Sequence, residues 1–153
     1  ELRLNDGQID EAVLRLIDCA IPYHILFVLV WEDRMRLAVA YKEMPDAKSA
    51  GVRVERYYHT DWMPVGEVVL RLEGLSMDAV YENLVRRIAG EALGDVRTST
   101  LRESVAEQGR RERIEKQIAA LEAKIRREKQ PKRKFELVTQ LRALEASLGE
   151  GVG

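Results

Sequence analysis

The sequence predicts an α+β fold: a small, mostly antiparallel sheet with two packing helices, followed by a C-terminal antiparallel helical hairpin. Three observations predict it. Strand-like apolar patterns dominate residues 25–58, amphipathic helical patterns flank that region, and two aliphatic ladders lie on either side of Pro131. We expect the α+β domain to span residues 1–95 and the hairpin arm to span residues 96–149.

The first 95 residues predict the element order β-α-β-β-β-β-α, beginning with a short strand at the N-terminus. Residues 25–31 are apolar on both faces, which indicates an interior strand, and residues 35–42 alternate as its hairpin partner. Two further strands are predicted at residues 52–58 and 68–72, the first of them after a loop at residues 45–51.

Two helices belong to this domain. The first is capped by Asp6 or Asp10 and ends at Pro22, and the second is capped by Ser76. The apolar face of the first helix consists of Ile9, Val13, Leu16, Ile17 and Ala20. Its Cys19 is predicted to be a buried, inert thiol, and a single cysteine excludes an internal disulfide.

The hairpin is predicted from two ladders whose residues are spaced 4-3-4, the pattern of a coiled-coil seam. Proline cannot continue a helix, so helices at residues 101–127 and 132–148 should fold back on each other around Pro131. Burial along a two-helix seam barely offsets the entropy of ordering the chain. We therefore expect the arm to dock on its own domain, on a second copy or on another protein. The ladder residues are Ile114, Ile118, Leu121, Ile125, Leu137, Leu141, Leu144 and Leu148.

The turn of this hairpin, residues 126–134, is strongly basic, and we call it the basic tip. It holds six positive charges against one negative charge. Residues 1–96 carry 11 lysines and arginines against 17 acidic residues, whereas residues 97–148 carry 14 against 8. This split indicates either an anionic partner for the second half or a merely solvated charged helix. The six cationic residues are Arg126, Arg127, Lys129, Lys132, Arg133 and Lys134.

A second candidate site consists of Lys42, His59, Asp61 and Trp62, which lie at predicted strand ends. Titratable groups gathered at one sheet edge would be candidates for chemistry. A structural interpretation competes with this one: His59 and Asp61 pair on one face of the strand, and Trp62 closes the core.

No residue set predicts a reaction. Two histidines and one cysteine are too few for a typical catalytic metal site, and we expect neither a metal nor a cofactor. The Glu-x-Lys form of the restriction-nuclease signature occurs only at residues 122–124, inside the predicted coiled coil. Phosphate-binding loops and nucleophile elbows are absent from the sequence. The longest apolar run is about a third of a membrane span. Because the single cysteine leaves no internal disulfide, we expect a protein of the reducing cytoplasm.

Five segments of the chain carry a resemblance to a known family: AIPYHILF at 20–27, AYK at 40–42, YHTDW at 58–62, LSMDAVYENLV at 75–85, and REKQ at 127–130 with RKFEL at 133–137. Together they resemble a bacterial family catalogued as domain of unknown function 4391. The resemblance covers nearly the whole chain and implies a genomic setting beside helicases and DNA methyltransferases of restriction-like or phage-defence systems. It implies no catalytic residues, because the family has none assigned. It also implies that an upstream part of this chain is missing.

The sequence therefore favours a non-catalytic accessory module that contacts DNA, RNA or a DNA-processing protein of the helicase or methyltransferase type. One alternative is a nuclease subunit whose catalytic residues lie upstream. Another is a pure oligomerisation module that assembles through the coiled coil.

Overall fold

The computed structural model describes residues 1–21, 23–43, 53–67, 70–93 and 99–149. It divides into two compact units, Glu1–Val96 and Arg97–Gly153. The first unit holds a five-stranded sheet and two α-helices, and the second holds a pair of long helices, which confirms the predicted α+β class. The predicted loop at residues 45–51 and the helix-ending Pro22 lie outside the described residues.

Four strands form a continuous sheet in the order β1-β2-β3-β4, and β5 pairs with the beginning of β3. The pairing of β1 with β2 is parallel, whereas β3 pairs antiparallel with β2, β4 and β5. The predicted interior position of β2, between β1 and β3, is confirmed. The strands are β1 (Leu2–Arg3), β2 (Leu26–Trp31), β3 (Arg34–Glu43), β4 (Arg53–His59) and β5 (Met63–Pro64).

The segment that was predicted as a strand at residues 68–72 is not a strand in the part that the structure describes. Residues 70–72 have no regular structure, and Val68 and Val69 lie outside the described part. The short β5 and a 3₁₀ turn at Val65–Glu67 precede this segment instead. A short apolar run becomes a strand only if the edge of a neighbouring strand is free to pair with it, and the sequence pattern does not show this. Here β3 is already paired with β4.

The first helix, α1 (Glu11–Ala20), begins at Asp10, whose carboxylate accepts a hydrogen bond from the Ala12 amide at 2.9 Å. Its buried face differs from the predicted one. Leu14 and Asp18 are completely buried, whereas Val13 is 48% exposed and Leu16 is 74% exposed. Cys19 is exposed as well, so the prediction of a buried thiol is wrong.

The core of the first unit lies between α1 and the sheet. Leu14 forms one cluster with Phe27 and Leu29 of β2, Ala38 and Ala40 of β3, and Val54 and Tyr57 of β4. Because side chains alternate across a strand, Leu37 and Val39 lie on the opposite face. The second helix, α2 (Met77–Ala89), begins at Ser76 as predicted and contacts β3 and β4. Its buried residues are Tyr81, Val85 and Ile88.

The second unit is an antiparallel pair of helices, α3 (Leu101–Arg127) and α4 (Pro131–Gly149). A capping box starts α3, since the Thr100 hydroxyl accepts from the Glu103 amide and the Glu103 carboxylate accepts from the Thr100 amide. Pro131 is the first residue of α4, where its missing N–H costs nothing. Arg110, the tenth residue of α3, donates to the Ser147 carbonyl near the end of α4 at 3.2 Å, as expected of antiparallel helices.

The seam between α3 and α4 is only partly covered. All eight ladder residues are half-buried, and α4 contains no buried residue. Two helices alone shield one side of such a seam, so the remaining apolar surface of these leucines and isoleucines faces outward.

Candidate functional site

The basic tip is formed where α3 ends and α4 begins. Arg126 and Arg127 are the last residues of α3, Lys129 lies in the three-residue connection, and the remaining three cations occupy the first turn of α4. All six side chains are exposed. Within the described ranges, none of the six takes part in an ion pair. Their charge is therefore available to a partner.

Glu128, the one acidic residue of the tip, is used to build the turn. Its amide donates to the Lys124 carbonyl at 2.9 Å, which ends α3. Its carboxylate accepts a hydrogen bond from the Gln130 amide at 2.8 Å. Because that carboxylate is aimed at the backbone of the turn, it makes no ion pair with the neighbouring cations.

A cavity of about 440 Å³ opens beside the tip, lined in part by Lys124, Arg127, Arg133 and Glu136. Phe135 is 74% exposed on the first turns of α4. These groups can bind an anion through charge-assisted hydrogen bonds. The six tip side chains carry only ammonium and guanidinium groups, so the chemistry that the tip supports is binding.

The second candidate site is not assembled as predicted. Lys42 pairs with Val54 across β3 and β4, whereas His59 pairs with Ala38. Four residues of strand separate these two positions, about 13 Å at the usual rise per residue. The prediction placed both at one sheet edge, but in antiparallel neighbours the end of one strand lies beside the start of the next. Lys42 is also buried, at 6% exposure, so its assignment to a surface site is wrong.

Lys42 instead forms a buried polar cluster with α1. Its Nζ lies 2.6 Å from Asp18 Oδ1, and both side chains are almost completely buried. Asp18 Oδ1 has no hydrogen-bond partner among the described residues, so the ion pair with Lys42 is its only polar contact there. The Lys42 ammonium also donates to the Tyr23 carbonyl at 2.7 Å. On the other side, the Tyr57 hydroxyl donates to Asp18 Oδ2 at 2.5 Å.

Tyr81 of α2 completes the surroundings of Lys42. Its hydroxyl donates to the Ala40 carbonyl and accepts a hydrogen bond from the Lys42 amide at 3.1 Å. The last pair between β2 and β3 is Leu26 with Val39, so the next backbone groups of β3 have no strand partner on that side. Tyr81 supplies the missing partner, and the His24 ring stacks on its ring at 3.6 Å between centroids.

These contacts shift three pKa values. Burial, the hydrogen bond to Asp18 and the Asp18 charge raise the pKa of the Tyr57 hydroxyl far above its usual range. Burial raises the pKa of Tyr81 in the same way, partly offset by the hydrogen bond from the Lys42 amide. Burial and the Lys42 charge lower the pKa of His24, although the Asp78 charge acts in the opposite direction. The cluster thus holds two neutral phenols beside a closed ion pair.

The closed cluster is suited to fixing α1 on the sheet. The reacting groups of an active site need access to a substrate, whereas Asp18 is 0% and the Lys42 side chain 2% exposed. Sequence reasoning missed Asp18 and Tyr57 entirely. One signal was present: Asp18 lies one helical turn after Leu14, on the stripe that the structure buries.

His59, Asp61 and Trp62 are separate structural elements. His59 Nε2 lies 3.3 Å from a Glu11 carboxylate oxygen of α1, so His59 pairs with α1 and not with Asp61. Trp62 packs edge-on against Trp31 at 6.1 Å between centroids, and the Arg36 guanidinium lies 5.6 Å from the Trp62 ring. Asp61 is exposed. The predicted pairing of His59 with Asp61 is therefore wrong, whereas Trp62 packs against the core of the first unit, as the structural interpretation expected.

Across the described residues, no group of three or more His, Cys, Asp or Glu side chains is placed to hold a metal ion. Likewise, no helix in the described ranges combines the length and apolarity that crossing a membrane requires.

Comparison with known proteins gives one match. Residues 1–148 match the family model described as Domain of unknown function (DUF4391). No curated protein and no solved structure matches the chain.

Proposed function

Because the chain belongs to the DUF4391 family, whose description assigns no activity, we propose a function from the basic tip: a non-catalytic module that contacts the phosphate backbone of nucleic acid. One observation carries the proposal. Six exposed cations surround a single turn, and none is neutralised by an ion pair in the part of the chain that the structure describes.

Phosphate contacts suit this arrangement better than base recognition does. Lysine and arginine on short segments of two helices can follow a charged backbone, and such contacts carry no sequence information. A helix that reads adenine in the major groove presents asparagine or glutamine among its cations. The first turn of α4 presents Lys132, Arg133 and Lys134 instead.

A second function is favoured by the half-buried seam of α3 and α4. Apolar residues that one partner helix shields only partly can be covered by a second copy of this chain or by another protein. In that case the basic tip would steer the approach of an acidic protein surface. The resemblance supports a helicase or methyltransferase-type partner in the cytoplasm, within a bacterial DNA-modification or phage-defence system. A nuclease whose catalytic residues lie elsewhere in a longer protein is a further alternative.

The test is duplex binding by the whole chain, measured by fluorescence anisotropy over a range of salt concentrations. Replacing Lys129, Lys132, Arg133 and Lys134 with alanine should weaken binding. The slope of log K against log salt should flatten by about one unit for each phosphate group that the variant no longer neutralises. Discrimination among duplex sequences should stay the same, because phosphates are common to all sequences.

A charge-matched control separates the tip from the general attraction of cations to DNA. Arg34, Arg113, Lys116 and Arg142 are exposed and lie outside the tip. Their replacement by alanine removes the same four charges and should leave affinity nearly unchanged. Wild-type protein without measurable affinity at about 50 mM salt, where phosphate contacts are strong, would rule out nucleic-acid binding. Loss of a co-purifying protein in the tip variant, with DNA binding intact, would establish the second function.

A further inference from the structure

The first unit contains a second basic site that is independent of the tip. A cavity of about 380 Å³ is lined by Arg71, Glu73, Asn83, Arg86 and Arg87. Three arginines and one glutamate therefore line one concave space. Small-molecule sites commonly occupy roughly 300–1,000 Å³, so the volume is sufficient for a ligand of modest size.

The wall of this cavity is held in place by two contacts. Gly74 has φ +151°, and a Cβ at this position would lie 2.6 Å from the Val80 amide nitrogen. Only glycine therefore lets the loop approach the first turns of α2 so closely. The Asn83 side-chain amide also donates to the Glu73 carbonyl at 2.8 Å. Together these contacts hold the backbone around Arg71 and Glu73 against the helix that carries Arg87.

The charges in this cavity favour an anion. Neither Arg71 nor Arg87 makes an ion pair among the described residues. Cations in the last turn of α2 offset the helix dipole, which accounts for the placement of Arg86 and Arg87. Arg71 lies outside the helix, so the dipole does not explain its position. Guanidinium groups bind phosphate with two parallel hydrogen bonds, which the arginines that line this cavity can supply.

We propose that this cavity binds the phosphate group of a small molecule of the mononucleotide class. Arg71 and Arg87 hold the phosphate from the loop and from α2. The Glu73 carboxylate would repel a bare anion, but it accepts hydrogen bonds from a hydroxyl or amino group. A ligand that carries a phosphate together with sugar hydroxyls satisfies both kinds of side chain. The site lies in the first unit, whereas the basic tip lies in the second. A negative result for nucleic-acid binding by the tip would therefore leave this proposal unaffected.

The experiment is calorimetric titration of the whole chain with adenosine 5′-monophosphate, inorganic phosphate and adenosine. Arg71→Ala and Arg87→Ala should each weaken binding of the nucleotide tenfold or more. Arg34→Ala removes one exposed charge from the same unit and should change the affinity less than twofold. Arg71 and Arg87 both lie outside the core, so their alanine variants should fold, which circular dichroism can check.

Glu73→Ala tests the second half of the proposal. It removes both the acceptor for the ligand's hydroxyl groups and the charge that repels phosphate, so the ratio of nucleotide affinity to inorganic-phosphate affinity should fall. Adenosine binding as tightly as its monophosphate would overturn the proposal. So would an Arg34→Ala variant that weakens binding as much as the cavity variants do. Titration without a saturable signal up to about 10 mM nucleotide, beyond the weakest affinity expected of a specific site, would overturn it as well.

Discussion

Lys42 Nζ and Asp18 Oδ1 lie 2.6 Å apart in a space that solvent hardly reaches, and they join β3 to the buried face of α1. Removing two charges from water is expensive, and their attraction offsets that cost only when each charge keeps its partner. The pair therefore fixes the position of α1 on the sheet, because rotating or sliding α1 would separate the two charges and leave them buried without partners.

The first prediction concerns the loss of one partner. Lys42→Met should lower the free energy of unfolding by about 3–5 kcal/mol, because the Asp18 carboxylate stays buried without a counter-charge. Urea unfolding can be followed through the fluorescence of Trp31 and Trp62, the two tryptophans of the chain, which both lie in the first unit. Arg34→Met, which removes an exposed charge, should stay within about 0.5 kcal/mol of wild type.

The double variant Asp18→Leu with Lys42→Met should recover much of that loss. Both charges are then absent, and the remaining cost is the Tyr57 hydroxyl without its acceptor, about 1–3 kcal/mol. If the double variant were as unstable as the sum of its single variants, the two residues would not be coupled in the folded protein.

The second prediction compares the only two phenylalanines of the chain. Phe27 is 5% exposed in the core, whereas Phe135 is 74% exposed. Phe27→Ala should cost about 3–5 kcal/mol through reduced burial and the cavity left behind. Phe135→Ala should change stability by less than about 0.5 kcal/mol. A loss below about 1 kcal/mol for Phe27→Ala would contradict its place in the core.

The third prediction concerns pH. Burial and the Lys42 charge lower the pKa of His24, so the unfolded chain binds a proton more readily than the folded one does. The free energy of unfolding should therefore fall as pH decreases from 6.5 towards the lowered pKa, and level off below it. In His24→Asn this dependence should be flatter. Proton NMR titration of the His24 ring gives the direct measurement, and a midpoint at or above 6.5 would contradict the lowered pKa.

The fourth prediction concerns the start of α3. Hydrogen bonds from the Thr100 amide and hydroxyl lower the pKa of the Glu103 carboxyl. The contribution of this carboxylate is therefore complete above its ordinary value of 4.5 and is lost as pH falls through the lowered pKa. Glu103→Gln keeps a hydrogen-bond acceptor without the titration, so its helical circular dichroism should lose this acid step. An unchanged step would show that other carboxylates cause it.

The order of elements in the first unit was largely accessible from the sequence, because turn and cap residues act locally. Asp10, Ser76 and the capping residues before α3 mark helix starts through contacts within three residues. The buried face of α1 was not accessible in this way. Counting apolar positions favoured Leu16, but the sheet covers Asp18, whose partners Lys42 and Tyr57 lie 24 and 39 residues further along the chain.

The two candidate sites also differ in how far the sequence could predict them. The basic tip could be predicted because Pro131 and the neighbouring charges are contiguous, and a hairpin turn keeps contiguous residues together. The grouping of Lys42 with His59 failed because it depended on the relative direction of two strands. The cavity at Arg71 depends on a close approach to α2 through Gly74, which no periodicity in the sequence indicates.

The burial of Lys42 also gives its amine a distinct chemical reactivity. An ammonium group held between the Asp18 carboxylate and the Tyr23 carbonyl is closed to acylating reagents, whereas Lys129, Lys132 and Lys134 are open to them. Brief labelling with an amine-reactive ester, read by mass spectrometry, should therefore mark the tip lysines and spare Lys42. A bound partner that covers the tip would lower the labelling of these three lysines, whereas unfolding of the first unit would raise the labelling of Lys42. One spectrum would report both changes.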